Sequence, residues 1–364
     1  MEKPRIIVDA DIPYIQGVLE PHAEPRYIKG SAIDHAACLS ADALIVRTRT
    51  RCSPELLEGT PVRLIATATI GTDHIDTDYC QQRGIRVVNA PGCNAWAVVQ
   101  WVLAAMLRIN ESSTYSYPQW TVGIVGHGQI GSRLQRVLGA FGVHTLLCDP
   151  ILAERQVASP YLPLSRLARE CDVITLHVPH TTQGAHRTHH LLDQEFFRGM
   201  LQHNRPYIIN SSRGGVADDY QLLDALDHKR IRGYCLDVYE DEPDVPAELL
   251  ERAIVATPHI AGYSVEGKLA GTRVALSAVA EHFGLGTLAP HCPTPTGGEK
   301  PALAADSLME LRKTYDIVRD SNALRAAPQH FERQRNAYAY RHDLRGFSFG
   351  NRALRELLEG ELGV

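Results

Sequence analysis

The sequence predicts an α/β protein made of two doubly wound parallel-sheet units, followed by a smaller C-terminal unit. Two observations carry this reading. Short apolar runs of strand length alternate with helix-like segments from the start as far as Phe283. Alternation of that kind argues for a parallel sheet with covering helices. After Gly286 the alternation stops, at a stretch rich in proline and glycine.

In the first series, Arg5–Asp9, Ala43–Arg47, Val62–Ala66 and Ile85–Asn89 are the strands. Each is a nearly continuous apolar run, as expected of strands covered on both faces. Ser53–Leu57 and His74–Arg83 are the helical pieces between them. Pro91-Gly92 then punctuates the chain, and a long helix is predicted from Asn94 to about Asn110. The second series begins at Thr121. Its strands are Val122–Val125, Thr145–Cys148, Val173–His177, Tyr207–Asn210, Tyr234–Val238 and Ile254–Ala256. Gln129–Phe141, Leu191–Met200 and Tyr220–Lys229 are its helices. Another long helix, Val265–Phe283, follows. Pro290 to Gly298 forms a linker, and the remainder to Val364 is rich in arginine and aromatics. These patterns divide the chain into residues 1–93 with 264–287, residues 94–263, and residues 288–364. The first and second are expected to be joined by two crossings, near 92–96 and 258–264, which makes a hinge able to close.

Composition narrows the function. The chain has 364 residues, 44% hydrophobic and 22% charged, with a formal net charge of -5. A chain this acidic does not offer a phosphate-neutralising surface to nucleic acid. The most apolar helical run, Trp96–Ile109, is too short to span a bilayer and is interrupted by Gln100. No basic-then-apolar leader opens the sequence. The eight cysteines form no C-x-x-C pair, so they suggest neither a zinc nor a redox motif. They read as small core hydrophobes of a protein in a reducing compartment, the cytoplasm. His180, His186, His189 and His190 lie in a polar loop with no carboxylate at ligand spacing in the sequence. They read as solvated histidines, and no metal is expected.

Thr121-Val-Gly-Ile-Val-Gly126-His-Gly128-Gln-Ile-Gly131 lies between a predicted strand and a predicted helix. This is the setting of a dinucleotide fingerprint. Gly126 permits the tight turn, Gly128 lets backbone approach the pyrophosphate, and Gly131 lets helix and strand pack closely. The N–H groups of Gln129 and Ile130 open the helix toward the phosphates. Asp149 ends the next strand, where a carboxylate accepts from ribose hydroxyls and repels a 2′-phosphate. NAD is therefore the expected cofactor, rather than NADP.

Three polar residues follow successive strands of the same unit: Arg213, Glu242 and His259. Ligands of open α/β sheets bind outside the carboxyl ends of the strands, so all three are expected to face the cofactor crevice. Oxidation of a 2-hydroxy acid needs a group that takes the hydroxyl proton while hydride leaves the same carbon. Histidine suits this near neutral pH, and His259 is the candidate base. Glu242 would orient its ring, and Arg213 would hold the substrate carboxylate through a two-pronged cation.

Here the sequence resembles the D-isomer-specific 2-hydroxyacid dehydrogenases. The matching motifs are Gly126–Gly131, Asn210-Ser-Ser-Arg213-Gly214, Leu236-Asp237-Val238 through Glu242-Pro243, and Pro258-His259-Ile-Ala-Gly262. The resemblance implies a catalytic Arg213, Glu242 and His259. It places Asp237 beside the nicotinamide and adds Ser211, Ser212, Arg213 and Gly262 as cofactor contacts. Val178 stands where the family often has threonine, so only its backbone would serve the cofactor.

Within that superfamily the chain is most similar to a branch with a C-terminal dimerisation domain. The branch oxidises 4-phospho-D-erythronate with NAD in vitamin B6 biosynthesis. Val46-Arg-Thr-Arg-Thr, Ala66–His74, His259–Lys268 and Thr314–Asp320 carry that resemblance. It implies substrate contacts from Thr48, Thr69 and Tyr263, a small α+β dimerisation domain over 288–364, and a homodimer. Arg47, Arg49 and Arg51 add positive charge where a substrate phosphate could lie. The alternatives are a phosphoglycerate, glyoxylate or lactate dehydrogenase of the same superfamily, a non-catalytic NAD-sensing protein, and a structural protein that only dimerises.

Overall fold

Five short strands open the chain: β1 (Arg5–Asp9), β2 (Glu24–Ile28), β3 (Ala43–Val46), β4 (Leu64–Thr67) and β5 (Arg86–Val88). The computed structural model describes residues 3–112, 119–155, 159–200, 204–293 and 300–360. The chain divides into two compact units, Met1–Asn94 with Ser264–Glu299, and Ala95–Tyr263 with Lys300–Val364. Residues 294–298 of the expected linker lie outside the described residues.

The first unit is a parallel sheet in the order β2-β1-β3-β4-β5. Four of its strands fall where the apolar runs predict. β2 was not expected, because Glu24-Pro-Arg-Tyr-Ile carries two charges and a proline. An edge position tolerates all three, since one side of the strand donates nothing to the ladder. The helix Val265–Phe283 belongs to this unit. Ser264 caps it by accepting from the Gly267 N–H at 2.9 Å, and Gly284 ends it at φ 65°. Its Leu269, Ala275, Leu276 and Val279 are buried in one cluster with Ile6, Val8, Ile45 and Leu64.

The second unit is a six-stranded parallel sheet formed by β6 (Thr121–Val125), β7 (His144–Cys148), β8 (Val173–Leu176), β9 (Tyr207–Asn210), β10 (Gly233–Leu236) and β11 (Val255–Ala256). Its order is β11-β10-β9-β8-β6-β7. The chain leaves β6 to one side for β7 and returns to the other side for β8. The carboxyl ends of β6 and β8 therefore frame the switch-point crevice where such sheets bind ligands.

Helix α1 (Ala95–Ser112) is buried on nearly every face as far as Leu107, as a stretch free of charge up to that point requires. Helix α2 (Gln129–Ala140) follows the glycine loop. Residues 300–360 add two short strands, β12 (Ala302–Leu303) and β13 (Ser348–Phe349), and several helices, among them α3 (Ile317–Ala326) and α4 (Phe331–Asn336). Leu308, Leu311, Tyr315, Leu344, Phe349 and Leu354 join the cluster that holds Trp101 and Val102 of α1 and Val122 and Ile124 of β6. The C-terminal segment thus completes the core of the second unit. Gln100, buried within α1, is an anchor for it. Its Nε2 donates to the carbonyls of His342 (3.0 Å) and Thr314 (3.3 Å), and its Oε1 accepts from Arg341 (2.9 Å).

No helix among the described residues is long and apolar enough to cross a membrane. All eight cysteines are unbridged, seven of them buried. Burial pushes the thiols of Cys148 and Cys38 up to about 11.

Candidate active site

Two positions of the glycine loop, Gly126 and Gly131, are shaped by contacts that exclude any side chain. Gly126 has φ 90°, and a Cβ there would lie 2.8 Å from the His177 carbonyl and 2.9 Å from Val178 Cγ1. A Cβ on Gly131 would lie 2.1 Å from the Gly126 oxygen. Gly128 opens α2 without a side-chain cap, so the first-turn N–H groups, those of Gln129 and Ile130 among them, stay available to an anion. Asp149 closes the far side of the loop: one carboxylate oxygen accepts from the His127 N–H at 2.9 Å, the other from Leu152 N–H at 3.0 Å.

Across the switch point, Val178 packs on Gly126. Beyond β9, Asn210 folds its own loop. Its Oδ1 accepts from the Ser212 N–H (3.1 Å) and hydroxyl (2.8 Å), and its Nδ2 donates to the Arg213 carbonyl (3.1 Å). Arg213 Nη1 donates to the Ser212 carbonyl at 2.9 Å. The Ser211 hydroxyl is buried without a hydrogen-bond partner. An orphaned buried hydroxyl at the carboxyl edge of the sheet whose Gly126 and Gly131 admit no side chain fits a dinucleotide, whose phosphates and sugars bring the missing partners.

At the far edge of the sheet, His259 and Glu242 meet. His259 sits at φ 56°, a left-handed backbone that aims its ring, and its Nδ1 lies 2.8 Å from Glu242 Oε2. The other carboxylate oxygen accepts from the Tyr239 N–H at 3.0 Å. Burial works to raise the Glu242 carboxyl, but the His259 bond and charge, the Tyr239 N–H and the Arg335 charge together hold it below the usual range. Glu242 is thus an anion aimed at one ring nitrogen.

Asp237 lies beneath this pair, fully buried. It accepts from the Thr257 hydroxyl and from the Ile260 and Ala261 N–H groups, each backbone bond 2.8 Å. Burial pushes its carboxyl up to about 6, against the pull of the His259 charge and these donors. Asp237 therefore fixes the backbone that follows His259, including the approach to Gly262 and Tyr263.

The same backbone is held from the tail. Arg341 donates to the carbonyls of Ala261 (2.6 Å), Ile260 (3.0 Å), Ala97 (3.0 Å) and Tyr263 (3.1 Å), and its guanidinium lies 4.2 Å from the Tyr315 ring centre. Arg335 Nη1 stands 3.9 Å from Glu242 Oε2. Sequence reasoning missed both arginines. Arg335 ends Phe331-Glu-Arg-Gln-Arg, which shares in the resemblance, but nothing local says which cations of the arginine-rich tail reach a turn some eighty residues upstream.

In the first unit, Arg47 is paired already: Nε lies 2.9 Å from Asp9 and Nη2 3.1 Å from Asp11. Thr48 is exposed just past β3. Thr69 follows β4, its hydroxyl 2.7 Å from that of Thr67. The histidine loop has carboxylate partners that its local spacing did not reveal: Glu240 lies 2.8 Å from His190, and Glu154 lies 2.9 Å from His186. His189, His190 and Glu240 cluster closely enough to share an ion, with Glu240 Oε1 2.8 Å from His190 Nε2.

A switch-point glycine cradle, with a carboxylate-backed histidine and an arginine at the same edge of one parallel sheet, defines an NAD-dependent dehydrogenase of 2-hydroxy acids. Residues 99–261 match the family model for the NAD-binding domain of D-isomer-specific 2-hydroxyacid dehydrogenases. The chain is 41% identical over 351 residues to the erythronate-4-phosphate dehydrogenase of Porphyromonas gingivalis, covering 94% of this chain and 95% of that one. It is 40% identical to that of Bacteroides thetaiotaomicron, covering 94% and 98%. The structure of D-lactate dehydrogenase from Aquifex aeolicus, complexed with NAD and lactic acid, aligns with a TM-score of 0.62 at 28% identity, over 77% of this chain and 96% of that one. The chain belongs to the erythronate-4-phosphate dehydrogenase family, and its cofactor is NAD.

Proposed function

We propose that this chain oxidises 4-phospho-D-erythronate to (R)-3-hydroxy-2-oxo-4-phosphobutanoate, a step toward pyridoxal 5′-phosphate. The single observation that carries the reaction class is the 2.8 Å contact between His259 Nδ1 and Glu242. With Nδ1 donating to an ionised carboxylate, Nε2 is left as the lone-pair acceptor. It takes the hydroxyl proton of the substrate, and Glu242 stabilises the imidazolium that forms. NAD, when bound, supplies the hydride acceptor. Gly126, Gly128, Gly131, Gln129, Ile130, Asp149, Val178, Ser211, Ser212, Asp237 and Gly262 are the residues to hold it. Arg213 pairs with the substrate carboxylate. Arg47, Thr48, Thr69 and Tyr263 are assigned to the rest of the substrate, with Arg47 reaching its phosphate only by giving up part of its pairing with Asp9 and Asp11.

The choice of the four-carbon phosphate rests on relatives that match across the tail as well as both sheets. In this reading residues 1–93 with 264–287 form the substrate-binding unit, 94–263 the NAD-binding unit, and 288–364 the segment through which a cytoplasmic homodimer assembles. The test is NADH formation with 4-phospho-D-erythronate against 3-phospho-D-glycerate and D-lactate, with a 2-oxo acid present to reoxidise retained NADH. Preference for the four-carbon phosphate, lost in His259→Ala, supports the proposal. Equal or better turnover of 3-phosphoglycerate would sink the substrate while leaving the reaction class.

A further inference from the structure

Arg335 comes from α4 in the C-terminal segment, which no catalytic motif reaches. Its side chain is only 17% exposed. Nη1 lies 3.9 Å from Glu242 Oε2, the same oxygen that faces His259 Nδ1. The guanidinium also shares a side-chain hydrogen bond with Tyr263. Its own helix offers Glu332, 3.8 Å away and more exposed. Arg335 Nε is buried with no hydrogen-bond partner. A buried, incompletely satisfied cation costs stability, and a cation beside a catalytic carboxylate does something an apolar residue would not.

Its placement is rigid. Phe331, one turn earlier on α4, is 1% exposed and stands edge-on to the Tyr239 ring at 5.9 Å. Tyr239 is also the residue whose N–H holds Glu242 Oε1. One short helix therefore sets both the backbone support of Glu242 and the cation against it.

We propose that Arg335 is a positioning residue that tunes the Glu242–His259 pair and anchors Tyr263. This rests on the proposed role of His259 as base. Arg335 and the His259 ring compete for one oxygen. The arginine charge draws on the carboxylate and opposes protonation of the imidazole, so His259 stays an empty acceptor over a wider pH range. The charged groups facing His259 are Glu242 and, beneath it, Asp237. Those facing Arg335 are Glu242, Glu332 and the Tyr263 hydroxyl. Of these groups only Arg335 is a permanent cation. Neutralising it leaves both carboxylates free to favour the imidazolium.

The experiment compares the full chain with Arg335→Met and Arg335→Lys. The direct readout is the His259 imidazole titration by NMR, which needs no substrate. In R335M its midpoint moves to higher pH by about half to one unit, and R335K restores it. In turnover, the ascending limb of kcat/KM for hydroxy-acid oxidation shifts the same way, and KM rises through the loosened Tyr263 while kcat at high pH changes little. An unchanged His259 midpoint in folded R335M would overturn the proposal, as would a lowered Tm as the sole effect. Failure of 4-phospho-D-erythronate as a substrate, with the NMR shift intact, would count against the proposed substrate and not against Arg335.

Discussion

His259 reaches Glu242 across seventeen residues of chain through a single left-handed residue and one 2.8 Å contact. His259→Gln keeps a polar ring-sized group but removes the basic nitrogen. It should lower kcat by about 10²–10⁴-fold with NAD affinity unchanged by fluorescence titration. Arg213→Lys keeps the charge and loses the planar fork. It should raise KM for the hydroxy acid by roughly 10-fold or more, since one point charge does not replace two parallel bonds. These three side chains were legible because each follows a strand and sits in a short local motif. Arg335 and Arg341 were not, because their meaning lies in carbonyls and a carboxylate contributed by distant loops. Arg47 was legible as a cation but not as a paired one. Asp9 and Asp11 stand nearly forty residues earlier in the chain and meet it only once β1 and β3 pair in parallel.

At the scale of elements, the tightest joints are glycines facing backbone. Gly131→Ala drives a Cβ to 2.1 Å from the Gly126 oxygen and would push α2 off the loop. NAD affinity should fall by at least about 100-fold, read by fluorescence titration, with Tm lowered as well. Gly214→Ala places a Cβ 1.8 Å from the Tyr239 carbonyl, which would displace the Arg213 loop and the support of Glu242 together. Gly128→Ala meets nothing within 4 Å and is the matched control for fold. Strands buried on both faces announced themselves as apolar runs. β2 did not, since an edge strand is under no pressure to be apolar. Nor did the helices of the tail, which are short and carry two arginines each. The chain passes from the first compact unit to the second after Asn94, just beyond Pro91-Gly92. The merging of 300–360 into the second unit was hidden, because an arginine-rich segment gives no hint that its arginines end in buried carbonyls.

Across the whole molecule, buried titrating groups pull stability in opposite directions with pH. Burial forces His177 down to about 3. As pH falls below about 6.5, the unfolded chain takes up a proton that the folded chain refuses, and stability drops. Burial pushes Asp219 up to about 7, with Glu240, Asp218 and Asp241 adding to the push against the Glu240 N–H bond. Its folded value is raised, so the stability it contributes is full below about pH 4 and is lost as pH climbs through 7. Asp219→Asn keeps an oxygen for the Glu240 N–H, 3.0 Å away. It should raise Tm by roughly 5 °C at pH 8 and by less at pH 5. A larger gain at pH 5 would contradict this account.

The grip of Arg341 on the His259–Tyr263 turn has a consequence in time. α1 leaves the ribosome some two hundred residues before Arg341, Leu344 and Leu354 do. At about 5–20 residues per second, its apolar surface waits roughly 10–50 s for the segment that covers it. The His259–Tyr263 turn waits as well, since its carbonyls have no guanidinium until Arg341 is made. A message truncated shortly before residue 341 would encode every motif of the dehydrogenase and yield a chain for quality control rather than a shorter enzyme.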